Sequence, residues 1–219
     1  MLQFERQAWD RGVVRLAGVD EAGRGPLAGP VVAAAVVVDR DFLETEQHRL
    51  LCDVDDSKTL TESQRDTAYT LLTERCPLAM GVGVADVAEI DALNILRATH
   101  LAMARALNAL PVLPELALVD GLPVPGLPCP SQSIVDGDAR SLIIAAASII
   151  AKVTRDRLMR ELDCEYPVYG FAQHKGYGTR AHMQALLRHG PCPAHRRSFR
   201  PVRDALGIRE AGGGGVGTG

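Results

Sequence analysis

No uninterrupted apolar run in this 219-residue chain reaches the roughly 18 residues that a membrane-crossing helix needs, although 47% of its residues are hydrophobic. The sequence is therefore expected not to span a membrane. The opening residues MLQFERQAWDRG carry charge throughout and lack the apolar centre of a secretory signal, which predicts a cytoplasmic protein. Cysteine is sparse and unpaired. Cys52, Cys76, Cys129, Cys164 and Cys192 are odd in number and widely spaced, with no CxxC pair. That pattern argues against a zinc cluster and predicts reduced, mostly buried thiols. A basic excess is missing too, since the net charge is -3, but net charge hides distribution. Phe171 to Val202 contains no Asp or Glu, yet holds Lys175, Arg180, Arg188, Arg196, Arg197, Arg200 and the histidines at 174, 182, 189 and 195. Such a stretch in an acidic protein suits either a phosphate-backbone surface or a solvated basic face that balances acids elsewhere. There is no internal repeat.

The chain is long enough for one domain plus a small appendage. Its organising stretch is LAGVDEAGRGPLAGPVVAAAVVV, Leu16 to Val38. Valine-rich runs at Val13–Val19 and Val31–Val38 predict two strands around a tight glycine-rich turn. Asp20 and Glu21 fall where the first strand runs out, and adjacent acids there repel unless a cation joins them. Gly23, Gly25 and Gly29 would let backbone approach a ligand, and Arg24 offers a planar donor suited to phosphate. From this stretch alone, a metal-binding edge and an ordinary hairpin with a solvated acidic turn both remain open.

Further along, Thr61 and Gln64 form a capping-box signal for a helix over Glu62–Arg75, which Pro77 stops. Met80–Ala85 predicts a third strand, and Val87–Leu110 one long or two abutting helices. Leu116–Val119 predicts a fourth strand, followed at once by Asp120, and Ser131–Val135 a fifth. Asp136-Gly137-Asp138 then precedes a helix over Ser141–Leu162, whose small residues Ala145 to Ser148 allow close packing on the sheet. A weaker helix over Arg180–Arg188 should end at Gly190. The order predicts an α/β layer with a mixed sheet opened by an antiparallel hairpin, followed by a C-terminal helical region.

Asp20, Glu21, Asp120 and Asp138 thus stand at comparable places, where strand ends gather. Converging carboxylates with no matching lysines imply divalent cations with oxygen ligands. Two such ions roughly 4 Å apart can activate a water and stabilise a leaving oxygen in phosphodiester hydrolysis.

The stretches GVDEAGRGPLAGPVVAAAVVV, DDSKTL, ALVDG, GDARSLIIAAASIIAKVTRDRLM, YGFAQHKGYGT and PCPAHRRSF resemble those of bacterial ribonuclease HII, the type 2 ribonuclease H. They are spread over most of residues 16 to 203. Ribonuclease HIII is less similar, because its counterpart lacks the GRG turn and it carries an extra N-terminal domain. The resemblance implies a ribonuclease H-like fold with a central mixed five-stranded sheet flanked by helices. It implies a metal-dependent endoribonuclease that cuts the RNA strand of RNA/DNA hybrids and single ribonucleotides in duplex DNA, leaving 5′-phosphate and 3′-hydroxyl ends. Its implied work is ribonucleotide and RNA primer removal in DNA replication and repair. By the same match, Asp20, Glu21, Asp120 and Asp138 hold Mn2+ or Mg2+, and Gly23, Arg24 and Gly25 recognise the 2′-hydroxyl, the group that separates RNA from DNA. Tyr177 stacks against the neighbouring deoxyribose, Ser57 and Lys58 contact phosphate, and Ser148 and Lys175 are further substrate-binding residues. One departure is Asp136, where the family commonly has a lysine; it rivals Asp138 for the metal, and spacing favours Asp138.

Residues 1–210 are accordingly expected to form the catalytic domain, with about 160–210 a helical substrate-binding extension and 211–219 a disordered glycine-rich tail. The expected state is a monomer. His174 and His195 are read as basic-surface residues and Asp156 as a structural ion-pair partner. A dinucleotide-binding reading of the glycines fails because their loop leads to a strand instead of a helix.

Overall fold

The computed structural model describes residues 1–45 and 60–207. Two valine-rich strands open the sheet, β1 (Leu16–Ala22) and β2 (Val31–Val38). β2 has the bounds its sequence predicts. β1 begins three residues later than Val13 and runs three further than Val19, so Asp20 and Glu21 belong to the strand itself. At the early end the amide of Val14 donates to the Glu115 side chain at 2.7 Å instead of to a ladder. At the late end, pairing with β2 continues through Ala22↔Val32.

Beyond β2 come α2 (Glu62–Arg75), β3 (Leu78–Ala85), α3 (Val87–Leu93) and α4 (Ile95–Asn108); α1 is the short N-terminal helix Gln3–Trp9. The capping box of Thr61 and Gln64 is present at the start of α2. The predicted 87–110 segment is two helices, because Asn94 adopts φ 70 and its side chain then caps the second one at Arg97. β4 (Leu116–Asp120), β5 (Ser131–Ile134) and the long α5 (Leu142–Glu165) follow, with Ser141 capping α5. The C-terminal region adds α6 (Phe171–His174), α7 (Arg180–His189) and α8 (Arg200–Ala205). Of these, α1, α6 and α8 carry no sequence signal strong enough to predict them, being six, seven or fewer residues long.

The five strands form one mixed sheet in the order β3-β2-β1-β4-β5. β1, β2 and β3 pair antiparallel, whereas β1 with β4 and β4 with β5 pair parallel. β1 lies at the centre with both faces covered, as its near-continuous apolar sequence requires. Ala17 and Val19 pack with Ala102, Met103 and Ala106 of α4, and the other face packs against Ile143, Ala147 and Ile150 of α5. α5 approaches closely at Gly18, where a Cβ would lie 2.3 Å from the Ile143 carbonyl carbon. Only glycine fits there, and the small residues Ala145 to Ala147 complete the contact.

The C-terminal helices pack against the loop between β1 and β2. Ala28 joins Met159, Tyr169, Phe171 and Ala194 in one small cluster, and Leu27 joins Leu186 and Val202 in another. The cysteines depart from expectation: Cys192 is buried, Cys76 and Cys129 are half-buried and Cys164 is exposed, all four free. Cys52 and the glycine-rich tail lie outside the described residues. Among the described residues, no helix is long and apolar enough to cross a membrane.

Candidate active site

The parallel register Val19↔Val119 sets the next residues of the two strands, Asp20 and Asp120, side by side at the carboxyl edge of the sheet. β5 continues the edge through Asp120↔Ile134. The chain then turns through Asp136 at φ 52 into one 3-10 turn, Gly137–Ala139, which carries Asp138. This turn is fastened to β4 by the Gly137 amide, which donates to Asp120 Oδ1 at 2.6 Å. Asp20, Glu21, Asp120 and Asp138 line one cleft of about 430 Å³. Asp138 is buried and faces that cleft, while its rival Asp136 is exposed. Carboxyl ends of strands at a point where the strand order reverses are where open α/β sheets bind ligands.

The same cleft is also lined by the Gly23-Arg24-Gly25 turn, Tyr177, and Ser148, Ile149, Lys152 and Arg155 of α5, with Arg65 of α2. A Cβ on Gly25 would sit 3.6 Å from the Tyr177 ring, so the turn and the tyrosine flank the same space. Ser148, Lys152 and Arg155 recur at i, i+4 and i+7, one face of a helix. That spacing is the sequence signal by which Lys152 and Arg155 could have been added to the site.

Two buried arginines hold the Gly23–Gly25 turn in shape. Arg196 donates to the carbonyls of Gly23 (2.6 Å), Arg24 (3.0 Å) and Gly29 (2.9 Å). Arg155 donates to Pro30 (3.0 Å), Ala28 (3.1 Å) and, across the cleft wall, to Lys175 (3.0 Å). Gly23 adopts φ 99, and a Cβ there would strike Arg155 Nε at 2.0 Å, so glycine is required on both counts. Burial pulls Arg196 down to about 9 and Arg155 to about 10, which leaves both cationic at neutral pH.

Electrostatics on the acid side run the other way. Burial, followed by the charges of Glu21 and Asp120, pushes Asp20 well above the usual carboxylate range, against a hydrogen bond from Ser148. Glu21 is also raised by burial, with partial relief from Arg24, its partner at 3.2 Å. Acids that raise one another's pKa in a buried edge are a donor set for a hard divalent cation. The residues fit such an ion in kind. In the placement seen here, Glu21 is turned to Arg24 and Asp120 to the Gly137 amide, and no three Asp, Glu, His or Cys side chains among the described residues close on a single point.

Several expectations for the basic stretch are corrected. Arg196 is fully buried and His195 only 1% exposed, so neither belongs to a solvated face; His174 is half-buried. Arg196 and His174 use their polar atoms on backbone groups, and His195 uses its own on the Cys192 amide and the His182 ring, none of which a charge count reveals. Arg180, Arg188, Arg197 and Arg200 are exposed. Lys175 is 8% exposed and its ammonium turns to Glu62 (3.1 Å) and the Ala172 carbonyl (2.6 Å), outside the cleft lining. Asp156 is the expected ion-pair residue, buried and 2.5 Å from Lys152. Ser57 and Lys58 lie outside the described residues.

The mixed five-stranded sheet with helices on both faces is the ribonuclease H-like fold, and its carboxyl edge carries the acids. A sequence model described as Ribonuclease HII matches residues 17–202. The ribonuclease HII of Geobacillus kaustophilus is 52% identical over 210 residues, covering 96% of this chain and 77% of that protein. Among solved structures, the ribonuclease H2 of Pyrococcus horikoshii superposes with a TM-score of 0.73 at 31% identity, over 87% of this chain and 96% of that one. The Bst ribonuclease HIII in complex with Mn2+ shares the fold, with a TM-score of 0.66 at 19% identity over 90% of this chain and 70% of that one. The chain belongs to the ribonuclease HII family and is an endoribonuclease of RNA/DNA hybrids.

Proposed function

We propose that the cleft cuts the RNA strand at a ribonucleotide in RNA/DNA hybrid or ribonucleotide-containing duplex DNA, with Asp20, Glu21, Asp120 and Asp138 as the ligands of Mn2+ or Mg2+. The observation that carries this reading is the β1–β4 register, which brings Asp20 and Asp120 together in a cleft that the Gly23–Gly25 turn and Tyr177 also line. Two divalent ions bound by these acids would supply an activated water and stabilise the departing 3′-oxygen, leaving 5′-phosphate and 3′-hydroxyl ends. Manganese is the ion named with the ribonuclease HIII structure of the same fold.

The remaining roles fall to this chain's own groups. The backbone of Gly23, Arg24 and Gly25 reads the 2′-hydroxyl, and the exposed Tyr177 ring stacks on the adjoining sugar. Arg24, Arg65 and Lys152 meet the phosphates, because they line the cleft while its fourth cation, Arg155, is engaged by backbone carbonyls. Ser148 orients Asp20 through the hydrogen bond between them. Ser57, Lys58 and Lys175 are further substrate contacts, the last requiring release from Glu62. Residues 1–210 act as one catalytic domain, with the helices after about residue 160 gripping the duplex through exposed arginines. The working enzyme is a cytoplasmic monomer that removes ribonucleotides and RNA primers during replication and repair.

The test is a DNA duplex with one ribonucleotide, incubated with enzyme and manganese or magnesium, with and without chelator. Cutting at the ribonucleotide that stops with chelator is expected, with 5′-phosphate products. Cyclic 2′,3′-phosphate ends would instead mean attack by the 2′-hydroxyl, and the metal reading would be wrong.

A further inference from the structure

Three histidines meet beneath the Tyr177 turn, and their hydrogen bonds admit one placement of protons. The amide of Cys192 can only donate, and its nitrogen lies 3.1 Å from His195 Nδ1. That ring nitrogen therefore accepts, and the His195 proton sits on Nε2. His195 Nε2 lies 3.0 Å from His182 Nε2, which must then accept. His182 keeps its proton on Nδ1, 2.9 Å from the carbonyl oxygen of Tyr177. His174 stacks on His182 with ring centroids 4.4 Å apart and is ordered in the opposite sense to it, as His195 is. The Gly176 amide donates to its Nδ1 at 3.2 Å, and its Nε2 faces the Tyr169 carbonyl at 2.8 Å.

The Tyr177 turn needs outside support. Lys175 adopts φ 50, a region that L residues rarely occupy, and Gly176 follows at φ 82. Each of the three residues of the turn is held by a separate side chain: Arg155 on the Lys175 carbonyl, His174 on the Gly176 amide, His182 on the Tyr177 carbonyl. Only the last is reached through a second ring. His182 and His195 are 0% and 1% exposed, so water cannot replace either as a donor.

We propose that His182 and His195 form a proton-ordered relay that positions Tyr177 for ribonucleotide recognition. Neither histidine touches the substrate; both act through the tyrosine backbone. The inference rests on the reading of Tyr177 as a substrate contact.

The readout is the ratio of dissociation constants for an all-DNA duplex and the same duplex with one ribonucleotide. Fluorescence anisotropy in EDTA measures it without cleavage, and thermal unfolding of each variant checks the fold. Asparagine can place a donor where Nδ1 was, and glutamine one where Nε2 was. At position 182 the essential donor is at Nδ1. His182→Gln should therefore cut the ratio roughly tenfold, while His182→Asn should stay within about twofold of wild type. At position 195 the essential donor is at Nε2, so the order reverses: His195→Gln should keep the ratio and His195→Asn should lower it. Equal losses for both substitutions at a folded site, or no loss at either, overturn the relay, and the second site decides alone if variants at the first do not fold. Tyr177→Ala separates the two layers. If it leaves the ratio unchanged, the substrate-contact reading fails and this inference with it. If it lowers the ratio while His182→Gln does not, that reading stands and the relay is wrong.

Discussion

The acid edge of the cleft and its glycine and tyrosine turns are held by different physics. Asp20 and Asp120 are set by a parallel strand register, with a close-packed apolar helix behind it. The Gly23–Gly25 and Lys175–Tyr177 turns have no such ladder. They are held by buried guanidinium and imidazole groups that donate to, or accept from, backbone at sequence separations up to 173 residues. Asp20 and Asp120 are thus fixed by periodic structure, and the two turns by individually chosen side chains. Damage to the first should spread through the core, whereas damage to the second should remain local.

Substituting an acid gives the largest expected effect. Asp20→Asn should lower the cleavage rate about a thousandfold, since it removes a ligand from the reacting centre. The same variant should unfold at a higher temperature than wild type, because a buried carboxylate repelled by Glu21 and Asp120 has been neutralised. A calorimetric scan beside the activity assay checks both. Arg196→Met tests the glycine turn. Leaving the Gly23, Arg24 and Gly29 carbonyls without their donor should cost about 4 kcal/mol of stability, read from urea midpoints. If that variant keeps full preference for a ribonucleotide, the clamp is only structural.

The third test uses pH. His195 is pushed down to about 4 by burial, followed by the nearby His182. Its folded pKa lies below the ordinary value of about 6.5, so the unfolded chain takes up the proton first as pH falls. Stability should be complete above that ordinary value, fall between there and about pH 4, and level off below, a total of roughly 3 kcal/mol. The buried acids Asp20, Glu21 and Glu5, raised in the fold, act in the opposite direction. The comparison is therefore made against His195→Gln, whose urea midpoint should depend less steeply on pH over this window. A slope equal to wild type would remove His195 from the account. The smallest effect is expected at Gly18→Ala, where α5 must shift off the strand at about 2 kcal/mol. Activity should fall with it if Ser148 and Lys152 move away from Asp20.

What could be read in advance follows the same divide. β2 and α2 have the bounds predicted from their residues, because a valine run and a capping box act locally. That the four acids would share one cleft was legible for the same reason, each standing next to a strand or helix signal. The start of β1 was not, because a side chain from Glu115, far along the sequence, takes the Val14 amide. Nor was α1, whose Glu5 is buried against Ser141 and the Ile143 amide at the start of α5, a purely tertiary arrangement. The basic stretch misled most. Its charge count is indifferent to direction, and Arg196, His182 and His195 point inward.

Arg196 has one more consequence, for synthesis. The turn it clamps is made among the first thirty residues, and the clamp itself 167 to 172 residues after the carbonyls of Gly29 and Arg24 that it holds. All four acids, through Asp138, leave the ribosome well before it does. A nascent chain can therefore hold all four acids while the Gly23–Gly25 turn still lacks its clamp, so that turn is completed later in synthesis than the strand edge beside it.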